Sequence, residues 1–238
     1  MLYRGVRISG LMVSVLREPA FHLAMQASDI MEAFYKALQP SQRLSLSNLL
    51  TFGGNSYEDL RLTINTFRVG GRIDITPGRL IVELSDLHRE SGYMEAAKEH
   101  LQLCEDTLRK ALKSVEISER LMRANMWLAC EGGPGAVEAF LGEKGNAALK
   151  LDQGAYAGLK KEFAFQFNAL DPSKATKVGL TLQRSMGEGD LWVQFEHTHY
   201  GSPAVTQTVE KQFEEAKIGL AALMLHVGLE QKNDDAGE

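Results

Sequence analysis

Two stretches of this chain are constrained to fold as antiparallel sheet, because short β-like runs follow one another with only turn-sized gaps between them. Between positions 44 and 88 the runs LSLSNLLTF, LRLTINTFRV, RIDIT and RLIVELSDLH are separated by GGNSYED, GG and PG. Glycine supplies positive φ and proline presets φ for tight turns. Parallel neighbours would instead need crossovers of about a dozen residues or more. Between positions 147 and 200 the pattern returns as AALKLD, KEFAFQFNAL, TKVGLTLQRS and LWVQFEHTHY.

Each stretch is closed by an amphipathic segment. From Tyr93 to Val115, Ala97, Leu101, Cys104, Leu108, Leu112 and Val115 fall on one helical face. From Pro203 to Val227, Val209, Phe213, Ala216, Leu220, Leu223 and Val227 do the same, which predicts one continuous helix. Each stretch is also preceded by a strand and a helix. Leu2–Leu16 reads as a strand, or as a hairpin turning at Ser9-Gly10. A helix opens at Glu18-Pro19, buries a face that includes Met31, Phe34 and Leu38, and stops at Pro40. In the second half, LMRANMWLAC reads as a strand, GGPG as a turn and AVEAFL as a short helix.

The whole chain therefore reads as α+β, in two similar lobes, each strand, helix, four antiparallel strands, helix. The expected lobes are 1–117 and 118–230, with a polar, disordered tail at 231–238. LIVELSDLHRES set against LWVQFEHTHYGS matches at four of twelve positions, His88 with His199 among them. That agreement and the shared element order point to an internal duplication.

Composition narrows the function classes. A net charge of −5 opposes general binding of nucleic acid, which needs a basic surface. No apolar run is long enough to span a membrane, and ISGLMVSVL lacks a small-residue cleavage site. Cys104 and Cys130 form no CxxC unit and read as buried free thiols. The expectation is a cytoplasmic protein without a cofactor.

The strand LWVQFEHTHY carries the only His-x-His pair. Alternate residues of a strand share a face, so Val193, Phe195, His197 and His199 point one way, with the histidines at the rim of the core. Two imidazoles so spaced can chelate a metal, but a third ligand is needed. Glu196 points away, and no HExxH motif or cysteine cluster supplies one. Asp86 and His88 in the first half would complete a site only if the two strand ends converge. The more economical reading is a structural joint, with Ser91 and Ser202 as helix N-caps, Pro203 in the first helical position, and His88 and His199 beside the helix amides.

Other features read as structure. CEGGPGAVEAF lacks the spacing of a phosphate loop and reads as a tight turn. Phe163, Phe165 and Phe167 share a strand face, and they, Trp127 and Trp192 are expected to pack in the core. No Ser-His-Asp or Cys-His arrangement stands out. Arg61, Arg68, Arg72 and Arg79 surround two turns; they would bind a carboxylate, a phosphate or an acidic partner, or lie as a solvated face balanced by Glu58, Asp59 and Asp74. The absence of a catalytic constellation favours a non-catalytic binding or scaffold protein acting through a protein partner or self-association. The alternative is a small-molecule-binding domain or enzyme with a pocket between the lobes, near His88, His197 and His199.

Overall fold

A computed structural model describes residues 1–17, 26–53, 59–66, 71–85, 93–111, 117–149, 164–185 and 190–232. The fold is α+β. In chain order the elements are β1 (Leu2–Arg17), α1 (Ala27–Gln42), β2 (Leu49–Phe52), β3 (Arg61–Thr66), β4 (Gly71–Thr76), β5 (Arg79–Ser85), α2 (Tyr93–Ala111) and β6 (Ile117–Cys130). Then follow α3 (Gly133–Leu149), β7 (Ala164–Asp171), β8 (Thr176–Arg184), β9 (Leu191–Tyr200), α4 (Gly201–Thr206), α5 (Val209–His226) and β10 (Glu230–Gln231).

All ten strands join one sheet, in the order β2-β3-β4-β5-β1-β6-β9-β8-β7. Every pairing along that path is antiparallel, as the short connections require for β2–β3–β4–β5 and β7–β8–β9; β5–β1, β1–β6 and β6–β9 join strands distant in sequence. β10 adds a short parallel pairing to the start of β1, so the polar tail expected from position 231 begins within the sheet. The centre is the long β1–β6 pair, whose register shifts near Gly5, Gly10 and Arg17 mark bulges that bend strands of this length. The close β4–β5 approach depends on Gly71, where a Cβ would lie 2.5 Å from the Glu83 carbonyl oxygen.

The pleat sorts residues into two layers. On one face, Leu11, Ala124, Phe195 and Leu180 are neighbours across four strands, with Val13, Met122, His197 and Val178 in the adjacent row. Against this face pack the apolar stripes of α2 (Ala97, Leu101, Cys104, Leu108) and α5 (Val209, Phe213, Ala216). Ile30, Phe34 and Leu38 of α1 are fully buried, each side chain contributing about 1.5–3 kcal/mol by leaving water. On the opposite face the row Arg72, Glu83, Met12, Arg123, Glu196 crosses five strands, with ion pairs at both ends.

Several elements depart from the sequence reading. Pro40 lies inside α1, which continues to Gln42 and ends on Arg43 in the left-handed conformation. Proline removes its own amide bond and crowds the carbonyl four residues back, a cost that here falls only on the last turn of the helix. α3 is 17 residues long and includes Ala147–Leu149, the start of the run expected as strand AALKLD. β7 is an edge strand with little cover: Phe165 is half-buried and Phe167 is 38% exposed, while Phe163 lies outside the described residues. Trp127 and Trp192 are direct partners on the face away from the core, half-buried, with the Arg7 guanidinium 4.9 Å from the Trp127 ring.

The closing helix of the second half is two helices. α4 begins at Gly201 with Tyr200 in the capping position, so Ser202 is not the cap. Gln207 and Thr208 break the chain, and the Thr208 side chain accepts a hydrogen bond from the Lys211 amide to start α5.

Candidate functional site

The apolar alternation of β9 sets the site: Leu191, Val193 and Phe195 enter the core, and the same register carries His197 and His199 inward behind them. The histidines are not at a rim, since His197 is 6% exposed and His199 2%. Their rings meet edge to face at 4.6 Å between centroids, and His197 stacks on Phe195 at 6.3 Å. The break before α5 turns Glu215 toward them. His199 Nε2 lies 3.3 Å from Glu215 Oε2, and Gln207 Nε2 donates to that oxygen at 3.0 Å. One ligand atom from each of His197, His199 and Glu215 falls within 4.8 Å of the others. Among the described residues, His197 Nδ1 is buried with no hydrogen-bond partner.

Burial disfavours the charged form of both rings. Burial pushes the His197 imidazole down to about 4, aided by the charge of His199 and opposed by Glu215. Burial also lowers His199, with Glu215 opposing and Arg120 and Lys211 adding to the shift. Arg120, the β6 partner of His199, is fully buried. Its Nε donates to the Ala204 carbonyl at 2.7 Å, and its two terminal nitrogens hold both oxygens of Glu105 on α2. Burial acts to raise the Glu105 carboxyl, but Arg120 and then Arg109 outweigh it and hold it below the usual carboxylate range.

Beside Phe195 a mostly apolar cavity of about 300 Å³ opens between the central strands and helices α2 and α5. Leu11, Met122, Ala124, Met126 and Phe213 line it, and Glu95, Lys98, Glu214 and Lys217 also border it. Its walls come from both halves of the chain. On the opposite sheet face lies a more polar groove of about 420 Å³, which includes Arg72, Glu83 and Arg123.

Of the other sequence candidates, Asp86, His88 and Arg68 lie outside the described residues, as do Ser91 and Glu58. Arg61 makes two hydrogen bonds to the buried carboxylate of Asp74, at 2.9 and 2.5 Å, and Arg72 pairs with both Asp74 and Glu83 at 3.0 Å. Arg79 is exposed at the start of β5. Sequence reasoning missed Glu215, sixteen residues beyond His199. It also missed the Cys-His pair on α2, where His100 Nε2 is 3.8 Å from Cys104 Sγ at i, i+4 spacing. Burial raises that thiol and pushes the His100 imidazole down to about 4, the reverse of an activated nucleophile. The turn after β6 is confined to Glu131-Gly132, and Gly133-Pro134-Gly135, read as part of the turn, opens α3; Gly132 and Gly133 are both at positive φ.

No known protein family matches the chain, and no curated protein does. Among solved structures it is similar to DynU16, a protein in the dynemicin biosynthetic locus. The identity is 14%, coverage is 92% of this chain and 97% of that one, and the TM-score is 0.26. A second comparison, with the S. pombe Pct1 RNA triphosphatase, gives 9% identity, coverage of 92% and 80%, and a TM-score of 0.11. Likeness this slight carries no argument about activity. Among the described residues no helix is long and apolar enough to cross a membrane.

Proposed function

We propose that the protein is a non-catalytic binding protein that holds an apolar small molecule between two duplicated lobes. The cavity beside Phe195 carries this reading: its volume is at the lower end for small-molecule sites, and such sites are mostly apolar with a few polar groups. Glu95, Lys98, Glu214 and Lys217 would select a ligand with a polar end. The strand order supports the duplication. β1 and β6 sit at the centre, each flanked by the last strand of its own half, β5 and β9.

The test is a thermal-shift series with medium-chain fatty acids and planar aromatic probes. Ligand at about 100 times its Kd stabilises by about 2.7 kcal/mol, raising Tm by roughly 5–10 °C for a chain of this size. Ala124→Phe, which fills the cavity, should abolish the shift while the unliganded Tm stays near that of the parent. The reading fails if no apolar ligand moves Tm, or if Ala124→Phe leaves the shift intact.

A second reading, an intracellular scaffold acting through a protein partner, is favoured by the β2 edge. Leu50 and Phe52 stand there 37% and 51% exposed on a terminal strand, the arrangement used for strand addition by a partner. Phe52→Lys should abolish capture of such a partner and leave the apolar-ligand shift unchanged.

A further inference from the structure

We infer that His197, His199 and Glu215 form a binding site for one divalent transition-metal ion, zinc being the best match, which ties α5 to β9. Two imidazoles and one carboxylate are a donor set that zinc accepts, with a fourth position left to water or another ligand. The histidines come from one strand face and the glutamate from the helix packed across it, so the three donors converge from two rigid elements.

Two further observations support a ligand here. His197 Nδ1 is buried without a partner among the described residues, although buried ring nitrogens are ordinarily satisfied. Gln207 already fixes the Glu215 carboxylate by a hydrogen bond, the outer-sphere support that metal-bound carboxylates receive.

The spacing asks for a small closure. Donors about 2.0–2.2 Å from zinc in a tetrahedron lie roughly 3.3–3.6 Å apart, against an upper separation of 4.8 Å here. Glu215 Oε2 already lies 3.3 Å from His199 Nε2, and the 37% exposure of the Glu215 side chain gives an ion a path from solvent. Two cations face the site. Arg120 is held by Glu105, and Lys211 sits 3.8 Å from the second Glu215 oxygen, where it can swing away into water.

The full chain, stripped with a chelator and dialysed, is titrated with zinc by calorimetry and with cobalt(II) by visible absorption. Wild type should bind one zinc per chain, and cobalt(II) should give the intense visible bands of a four-coordinate site. Glu215→Gln and His197→Gln should each weaken zinc binding tenfold or more. Should a variant fail to fold, the wild-type stoichiometry and cobalt spectrum decide alone. Absence of stoichiometric zinc, or affinity unchanged in folded variants, overturns the inference.

Discussion

Two buried polar clusters lie side by side in this molecule, and they are finished differently. Arg120 and His199 are direct partners on β6 and β9. Around Arg120 all three guanidinium nitrogens have acceptors, and Glu105 also takes Arg109. Around His199 the donors converge, yet His197 Nδ1 has no partner among the described residues. This network ties α2 and α4 to the sheet, with an acceptor at every guanidinium nitrogen of Arg120. A buried ring nitrogen left without a partner, as at His197, carries a desolvation cost that a ligand relieves. We read the first cluster as architecture and the second as the proposed metal site.

The largest break in this comparison is Glu105→Ala. It leaves Arg120 charged and buried without its carboxylate, and removing one partner of such a pair costs about 3–5 kcal/mol. Chemical denaturation should register that loss, with Tm lower by roughly 6–20 °C. A loss below 1 kcal/mol would show that the Arg120 cluster is not structural.

Acid should act next, through the histidines. Their folded-state pKa values are depressed: His197 and His100 reach about 4 from an ordinary 6.5, and His199 moves the same way. The unfolded chain therefore binds more protons between those limits, so stability is fully present above pH 6.5 and falls as pH drops toward 4. His197→Gln should flatten that dependence when melts are compared across the window. An unchanged slope would mean that His197 is already charged or exposed in the folded protein.

Thr208→Ala is the smallest effect. It removes the side-chain cap of α5 while leaving every member of both clusters in place, and should cost about 1 kcal/mol by thermal melting. Because the same break carries Glu215 toward the histidines, zinc affinity should fall, but by less than in Glu215→Gln.

The sheet was the legible part of the sequence. Pro77-Gly78 gave the β4–β5 turn because its chemistry is local, and the alternation through Phe195 placed both histidines on the buried face. The site was half legible. His197 and His199 share a strand, so period two reveals them, whereas Glu215 reaches them only through the break at Gln207 and Thr208. Reading Pro203 to Val227 as one helix hid that turn, although Thr208 is a standard N-cap residue. The Phe165–Phe167 strand was misjudged for a different reason: an apolar strand pattern does not say whether the strand is central or at an edge.

The most direct test of the contrast is zinc K-edge absorption on the protein loaded with one equivalent of zinc. The account predicts a first shell of nitrogen and oxygen near 2.0–2.1 Å with the outer-shell scattering of two imidazoles. A shell containing sulfur, or oxygen without imidazole scattering, would place the ion elsewhere and contradict it.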